Sequence, residues 1–330
     1  MADFTDHAVK IIIREQWCKP IIKHLHVNLG YQLVYFGLPG INGYDLICWL
    51  EHIDYVVAID CGDYNPKKWD FEKANEKIKE LNTLLLGFER REEISGFSLY
   101  LGFLEEVVFK KRDKNGQEFS YNNSVHIFNL DFCNALTTPF PVAFEGGIVK
   151  TYYKTQVIKR LLDLQNDIDN TGNSKFIMFV TIHTHFWEEE AKEHFNNGKD
   201  EAYIQYRETL KDLPEEEMVV RLLRYYFFDI IKNQFTTSEF IPEFFPVIRY
   251  IGNGEHTLIC FTIAGTLRKR RSAVAPFYQN LEEMINSKFL NATKNGIQVL
   301  ESEIDKIGIK NNPISLFEDF KSYQELWLEK

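Results

Sequence analysis

Five short apolar runs recur along the chain, and segments with helical character separate them. The runs are "YQLVYFG" (31–37), "YVVAID" (55–60), "GFSLYLG" (96–102), "VHIFNLDF" (125–132) and "KFIMFVTIHT" (175–184). Continuous apolar runs of this length are typical of strands that are buried on both faces of a parallel sheet. Strands that alternate with helices are joined by right-handed crossovers. The pattern therefore predicts an α/β fold with a doubly wound, mostly parallel sheet.

The remaining segments predict the helices and a closing hairpin. In residues 6–28 the apolar side chains fall near one helical face, and Pro20 is expected to kink or divide that helix. Two apolar runs flank "GNG" (252–254), which predicts a C-terminal antiparallel hairpin. The other helices are expected over 44–53, after Asp70, over 147–168, throughout 186–235 and over 274–330.

The segmentation also gives an expected domain organisation. We expect one Rossmann-type domain over residues 1–272, with a helical insertion at about 186–235. A C-terminal helical extension is expected to follow over residues 273–330. The chain has 330 residues, of which 45% are hydrophobic and 26% charged, which is typical of a globular protein with a sizeable core.

Charge and cysteine content restrict the environment and the partners. The net charge of −10 gives no overall attraction to nucleic acid. The basic run Arg268–Arg271 is either a solvated loop or a local phosphate contact. No CxxC pair occurs, so we expect reduced, mostly buried thiols in a cytoplasmic protein. No apolar run approaches the roughly 18 residues of a membrane span, and the N-terminus does not resemble a signal peptide.

A glycine-rich turn and an acidic residue follow the first two predicted strands. Gly37, Gly40 and Gly43 lie between the first strand and its helix, and Asp60 ends the second strand. In doubly wound sheets, ligands bind beyond the carboxyl ends of the strands, at the point where the strand order reverses. A carboxylate there can accept hydrogen bonds from both hydroxyls of a ribose. The pair predicts an adenosine-type pocket; the alternative is a tight turn and a helix-capping acid.

The order of these motifs resembles that of class I S-adenosylmethionine-dependent methyltransferases. "VYFGLPGING" resembles their glycine-rich first motif, "VVAID" their second strand with its ribose-binding acid, and the closing hairpin their antiparallel final strand. The resemblance implies S-adenosylmethionine as cofactor. The implied cofactor-binding residues are Gly37, Leu38, Pro39, Gly40, Gly43, Asp60 and Cys61. The N-terminal segment, with Trp17 and Lys19, is also loosely similar to three-Cys-motif partner proteins of bacterial systems.

The tetrapeptide "NLDF" (129–132) ends the fourth strand, where these enzymes carry their catalytic motif. It resembles the N/D-P-P-Y/F motif of methyltransferases that act on amino groups of nucleic-acid bases. The resemblance implies that Asn129 and Asp131 face the acceptor amine, that Phe132 stacks on a flipped base, and that the acceptor is nucleic acid. The alternative is a strand end whose aspartate caps the next segment. Cys133 lacks the Pro-Cys context of cytosine-C5 enzymes.

Two departures from the family pattern keep a second interpretation open. The family often carries an acid at the start of its first motif, where this chain has Val34, Tyr35 and Phe36. Asp45 could replace that acid, and Glu105 could replace the acid that follows the third strand. The alternative is a methyltransferase-like scaffold without catalysis that acts as a subunit of a prokaryotic antiviral defence or regulatory complex. It would bind a protein partner or another copy of the chain.

A third interpretation uses histidines. His183 and His185 follow the fifth strand, and His24 and His26 lie in the first helical segment. Alternate residues of an extended segment point to the same side, as in the metal sites of some hydrolases. No HExxH or HxxxH motif accompanies them. We therefore predict no metal site, and a metal-dependent hydrolase that uses His183 and His185 remains the alternative.

Overall fold

A computed structural model provides the three-dimensional structure. It describes residues 8–62, 68–120, 124–168, 175–184, 200–252, 257–267 and 289–299, without the side chains of Cys133 and Val299. Within these residues, no helix is both long enough and apolar enough to cross a bilayer.

The N-terminal part of the chain alternates helices and strands as predicted. The elements are α1 (Ala8–Ile12), a π-helical turn (Ile13–Cys18), α2 (Lys19–Leu29), β1 (Leu33–Gly37), α3 (Tyr44–Trp49), β2 (Ile53–Asp60), α4 (Phe71–Arg90), β3 (Gly96–Leu101) and α5 (Leu104–Lys110). A second series of elements follows β3 and α5. It comprises β4 (Ile127–Ala135), β5 (Phe140–Ala143), β6 (Val149–Tyr152), α6 (Lys154–Ile168), β7 (Lys175–His183), α7 (Glu201–Thr209), α8 (Glu215–Thr237), β8 (Phe240–Phe244), β9 (Ile248–Ile251), β10 (Thr257–Leu267), β11 (Leu290–Thr293) and β12 (Gly296–Val299).

The main sheet has ten strands in the order β12-β11-β9-β10-β7-β4-β1-β2-β3, and β8 also pairs with β10. Strands β3, β2, β1, β4 and β7 are parallel to their neighbours in this series. Strand β10 is antiparallel to both β7 and β9, between which it lies. This mostly parallel sheet with an antiparallel strand inserted near its end confirms the predicted methyltransferase-like Rossmann fold.

The sheet is covered on both faces, which explains its apolar strands. Apolar residues from the N-terminal helical segment, α3 and α4 pack on one face. Residues from α5, α6 and α8 pack on the other. Along β4 the side chains alternate, so that Phe128 and Leu130 belong to the second core while Ile127 belongs to the first. Successive side chains of β4 therefore point to opposite faces of the sheet.

The helix predicted over 147–168 begins later than expected. Helix α6 starts at Lys154, and residues 149–152 form strand β6, which pairs with β5 in a separate two-stranded antiparallel sheet. Gly146 and Gly147 at the turn have φ values of 79° and 77°. Two consecutive residues in this left-handed region interrupt a helix, and the following "VKTY" has high strand propensity.

The prediction of continuous helix over 274–330 is wrong for residues 290–299. These residues form the hairpin β11–β12, which extends the main sheet through parallel pairing of β11 with β9. The "TKNG" turn and the free edge of β9 favour a hairpin here, because a sheet edge provides hydrogen bonds that local propensity does not reveal. Strand β8 was not predicted. The helices expected within 186–235 are observed as α7 and α8. Residues 185–199, which include His185, lie outside the described residues, and so does the basic run 268–271.

The N-terminal helical segment runs from Ala8 to Leu29 without a break and includes the π-helical turn Ile13–Cys18. Pro20 lies in the first turn of α2. Proline has no N–H to donate to the carbonyl four residues earlier, so the regular hydrogen-bond ladder is interrupted at this point. The proline thus changes the hydrogen-bond register without dividing the helix.

Candidate functional site

The glycine-rich turn leaves β1 close to β4. A Cβ atom on Gly37 would lie 2.5 Å from both the Asn129 carbonyl oxygen and the Tyr35 hydroxyl, so only glycine fits. The N–H of Leu38 donates to the same Asn129 carbonyl at 3.0 Å. Gly40 has a φ of 66°, and apart from its chain neighbours no atom of the described residues lies within 4 Å of the position of its absent Cβ. Close packing therefore requires Gly37, whereas Gly40 leaves open space beside the turn.

Asp60 lies beside this turn because β2 pairs with β1, with Gly37 opposite Ala58. Its half-buried carboxylate accepts a hydrogen bond from the Gly62 N–H at 2.6 Å, the only one it receives from described residues. Burial raises the pKa of Asp60 to about 6, and the Gly62 bond offsets only part of that effect. A carboxylate with a single donor retains capacity for further hydroxyl donors. The order of the strands reverses between β1 and β4, which places both features at the switch point.

An aromatic cluster that the sequence pattern did not predict borders Asp60. The Trp69 indole N–H donates to the Cys61 carbonyl at 2.7 Å. The Phe103 ring lies 6.0 Å from the Trp69 ring and 5.0 Å from the Phe140 ring. Phe103 directly follows the turn after β3, and this position at a strand end could have indicated from the sequence that it lies near the site. Phe140 reaches the cluster through the unpredicted β5–β6 hairpin. These rings supply apolar surface beside a carboxylate, as a nucleoside requires.

Asn129 is held by a chain of side-chain contacts at the end of β1. Its Nδ2 donates to the Asp45 carboxylate at 2.6 Å and to the Tyr35 hydroxyl at 3.3 Å. The other Asp45 oxygen accepts from Arg14 Nε at 2.5 Å. Nδ2 donates to both partners, so the remaining polar atom of the side chain is Oδ1, which can accept a further hydrogen bond.

Asp131 lies two residues further along β4, on the same face as Asn129. Its carboxylate is hydrogen-bonded and ion-paired to the Lys10 ammonium of helix α1. The two side chains retain 31% and 36% of their exposure, so solvent reaches this pair. Opposite Asp131 is Thr181 of β7, and the ladder is irregular between Asp131 and Ala135. The structure thus brings Asn129, Asp131 and Asp45 together, although the sequence did not predict their basic partners.

Phe132 and Glu105 lie away from this group. Phe132 is 4% exposed and belongs to the core on the other face of the sheet, where the Lys154 ammonium lies 5.5 Å from its ring. Glu105 is also buried, and its carboxylate lies 3.6 Å from Lys154. The predicted stacking role of Phe132 and the adenine contact of Glu105 stay predictions, and the structure does not join either residue to Asn129 and Asp131.

Asn129 and Asp131 line a pocket between the N-terminal helical segment and the sheet. Its space for water-sized molecules is ≈ 40 Å³, room for about three waters. The remaining lining residues are Lys10, Ile13, Arg14, Cys18, Asp45, Trp49, Phe179, Thr181, Tyr250 and Cys260.

The electrostatics of this pocket disfavour further negative charge. Burial raises the pKa of Cys260 to about 12, and a hydrogen bond from Thr181 only partly counteracts it. Burial also raises the pKa of Tyr250 well above its usual value, and the negative charge of Asp131 adds to the effect. For Cys18 the pKa is likewise raised by burial first, with a contribution from Asp45. The hydroxyl and thiols are therefore neutral, and the charges that line the pocket belong to the ion pairs Lys10–Asp131 and Arg14–Asp45.

The histidines of the hydrolase hypothesis are only partly within the described structure. His183 ends β7, while His185 lies outside the described residues. Across the described ranges, no three His, Cys, Asp or Glu side chains are grouped as a metal site would require. Nδ1 of His26 contacts Nδ1 of His52 at 3.0 Å. The cysteines whose side chains the structure describes form no disulfide bond; they are Cys18, Cys48, Cys61 and Cys260.

Comparisons with known proteins give structural similarities only. No protein-family profile and no curated protein sequence matches this chain. Among solved structures, it is similar to TYW2 of M. jannaschii in complex with AdoMet. The identity is 9%, the match covers 81% of this chain and 80% of that chain, and the TM-score is 0.37. A SAM-dependent methyltransferase of Agrobacterium tumefaciens has 12% identity, coverage of 79% and 62%, and a TM-score of 0.36.

A proposed RNA methyltransferase of Pyrococcus horikoshii, PH1948, has 11% identity, coverage of 76% and 82%, and a TM-score of 0.33. A proposed transferase of the same organism, PH0793, has 11% identity and a TM-score of 0.34; the match covers 75% of this chain but only 64% of that one. The chain thus spans less than two thirds of the length of some of these structures. Because these similarities are weak, the fold is assigned from the strand order, and the function has to be argued from the residues of the site.

Proposed function

We propose that this protein is an S-adenosylmethionine-dependent methyltransferase. The observation that carries the proposal is the placement of the β1 glycine turn beside Asp60, at the switch point of a methyltransferase-like sheet. The residues fit the cofactor in three respects. Gly40 borders open space, Asp60 retains hydrogen-bonding capacity, and Trp69 and Phe103 supply rings next to Cys61.

Each part of the cofactor would have its own group of residues. Asp60 would accept hydrogen bonds from the ribose, and Cys61 with the neighbouring rings would contact the adenine. The backbone of the glycine turn would hold the methionine part through Gly37, Leu38, Pro39, Gly40 and Gly43. When bound, S-adenosylmethionine supplies an electrophilic methyl group. Asn129 Oδ1 would orient the acceptor by accepting a hydrogen bond, and the Asp131 carboxylate would receive the acceptor's proton. Taken alone, the resemblance of "NLDF" to amino-methyltransferase motifs implies a nucleic-acid amine as acceptor, with Phe132 as the stacking ring; the contacts of Asp131 favour an aliphatic amine instead.

Isothermal titration with S-adenosylmethionine tests the cofactor assignment. We expect saturable binding by the wild type and loss of binding in Asp60→Ala. Asp54→Ala is a matched control, because Asp54 lies on the same strand and its carboxylate accepts from Ser95 at 2.8 Å. Folded wild-type protein that produces no binding heat at high micromolar concentration would overturn the proposal.

One observation favours a second candidate, a scaffold subunit without catalysis. Lys10 and Arg14 already form ion pairs with Asp131 and Asp45, so the carboxylates near the predicted acceptor position have partners within the chain. Such a subunit would act through a protein partner or another copy of the chain, as in a prokaryotic antiviral defence complex. Asp60→Ala and Asp131→Ala variants that retain full function in cells, together with a co-purifying partner, would support this candidate over the enzyme.

A further inference from the structure

The ammonium group of Lys10 lies in the group of residues predicted to face the methyl acceptor. It is bonded to Asp131, two residues from Asn129 on the same face of β4. Lys10 belongs to α1, separated from Asp131 by 121 positions in the sequence. The position that an acceptor nitrogen would take is thus filled by an aliphatic amine of the same chain.

We propose that this pocket is a binding site for an aliphatic ammonium group, that Lys10 is its intramolecular occupant, and that the external acceptor is a flexible alkylamine of the lysine side-chain type. This inference rests on the proposed methyltransferase function for its biological meaning. The binding property itself is independent of the cofactor. An incoming alkylamine would displace Lys10 from Asp131 and bind the same carboxylate.

The walls of the pocket match such a group. Asp131 provides a negative charge once Lys10 leaves, because Arg14 continues to pair with Asp45. Trp49, Phe179 and Ile13 provide apolar and aromatic surface for a methylene chain. Asn129 also lines the pocket, and its Nδ2 is the donor to Asp45, so its Oδ1 has capacity to accept an N–H. A terminal ammonium has three donors, and these oxygens supply suitable partners.

Two features disfavour a nucleobase at the same place. With Lys10 in place, the space of ≈ 40 Å³ accommodates about three waters, and departure of the Lys10 side chain frees room for another alkylamine rather than for a stacked purine. Phe132, the ring expected to stack on a flipped base, is buried on the opposite face of the sheet. Nucleobase recognition depends on such stacking. The net charge of −10 also gives no general attraction to nucleic acid.

Displacement of Lys10 is physically reasonable because its ion pair is accessible. Lys10 and Asp131 remain about one-third exposed, and ion pairs of this kind contribute little to stability. Arg14 and Asp45 are more deeply buried, with 10% and 20% exposure. The Arg14–Asp45–Asn129 chain can therefore keep its position while the Lys10 side chain leaves.

Chemical rescue of Lys10→Ala tests the site. The variant removes the internal ammonium, and n-butylammonium at constant ionic strength is the external probe. We expect a saturable increase in Tm of about 1–2 °C for Lys10→Ala, because a ligand that binds only the folded state stabilises it. The wild type should respond only at higher concentrations, since Lys10 competes for the site.

Two variants and a second readout control this experiment. Lys19→Ala removes an ion pair with Glu51 at 2.9 Å on the same helical segment, and it should show no rescue. Lys10→Ala/Asp131→Asn should lose the response. Alkylation of the buried pocket thiols Cys18 and Cys260, mapped by mass spectrometry, should accelerate in Lys10→Ala and slow again with n-butylammonium.

The outcomes separate this inference from the proposed function. Rescue by adenosine or cytidine but not by n-butylammonium, or equal rescue of Lys10→Ala and Lys19→Ala, would overturn the alkylammonium site. Neither result depends on S-adenosylmethionine. Calorimetry with S-adenosylmethionine on the same samples reports separately on the cofactor, so either conclusion can fail alone.

Discussion

Asp60 combines a functional position with an unfavourable environment. Burial raises its pKa to about 6, above the ordinary value of 3.8. A raised pKa means that the folded state binds a proton more tightly than the unfolded state does. The contribution of Asp60 to the free energy of unfolding is therefore fully present below about pH 4 and is lost as the pH rises through about 6. At neutral pH the ionised carboxylate therefore destabilises the fold slightly, as expected of a group that awaits ligand donors.

The first prediction concerns Asp60→Asn. The amide keeps an acceptor for the Gly62 N–H but carries no charge, so the free energy of unfolding at pH 8 should rise by about 1–3 kcal/mol. Binding of S-adenosylmethionine should be strongly weakened. Urea unfolding and calorimetry measure the two effects. A clear loss of stability would show that the carboxylate is a structural cap.

His126 is a neutral structural histidine between β1 and β4. Its Nδ1 accepts from the Val34 N–H at 3.0 Å, and its Nε2 lies 3.2 Å from the Tyr31 hydroxyl. Burial lowers its pKa to about 4 from the ordinary 6.5. The unfolded state therefore takes up a proton first as the pH falls. Stability is complete above pH 6.5 and is lost progressively toward pH 4.

The second prediction follows from this titration. The wild type should lose up to about 3 kcal/mol of unfolding free energy from His126 between pH 6.5 and 4. His126→Asn keeps a side-chain acceptor without a titrating ring, so its loss over this range should be smaller by that amount. Urea titrations at several pH values measure both curves. Parallel curves would contradict the assignment of His126 as a neutral acceptor.

At the scale of single elements, the glycine turn after β1 performs two separable tasks. Gly37 permits close contact between β1 and β4, and Gly40 borders the open space of the proposed cofactor site. The sequence predicted the turn and its position after the first strand. It did not distinguish the two glycines, because the distinction depends on Asn129, which approaches from a distant part of the chain.

The third prediction compares alanine substitutions in this turn. Gly37→Ala should destabilise the protein by about 2–3 kcal/mol, because its Cβ would lie 2.5 Å from a backbone oxygen. Gly40→Ala should cost about 1 kcal/mol for the left-handed conformation and should weaken S-adenosylmethionine binding. Thermal unfolding and calorimetry test the pair. Equal effects of both variants on stability would contradict this division.

Local patterns predicted the elements best where the pattern and the tertiary environment agree. Strands β1 and β7 have apolar runs that match their burial on both faces, whereas the edge strand β3 is only partly buried. The hairpins β5–β6 and β11–β12 were missed because each is stabilised by pairing that a single segment does not encode. For β11, the deciding partner is the edge of β9, more than 30 residues away.

At the scale of the whole molecule, strand order determines which side chains meet. The alternation of strands and helices was sufficient to predict the architecture and the location of the glycine turn and Asp60. The contacts of Lys10 and Arg14 were not predictable, because they require knowledge of where the N-terminal helical segment packs. The same segment is fixed to β10, where the Trp17 indole N–H donates to the Thr262 hydroxyl at 2.8 Å.

The fourth prediction measures this long-range connection. Trp17→Phe and Thr262→Val each remove one partner of a buried hydrogen bond, so each should destabilise the protein by about 1–3 kcal/mol. The double variant should be less destabilised than the sum, with a coupling of about 1 kcal/mol. Denaturant unfolding of the four proteins gives this cycle. Strict additivity would show that the contact contributes no specific energy.

The π-helical turn Ile13–Cys18 accommodates an extra residue between α1 and α2. One residue of an α-helix corresponds to a rotation of about 100°. A π-helical turn contains one residue more than regular helical winding needs, so removing a single exposed residue such as Glu15 would restore that winding. The wide turn absorbs that residue, so its deletion should leave Lys10 beside Asp131, whereas deletion of one residue from the regular helix α2 would rotate Lys10 by about 100° away from it. The π-helical turn is thus a place where the segment can change its length by one residue and still supply the pocket with its cation.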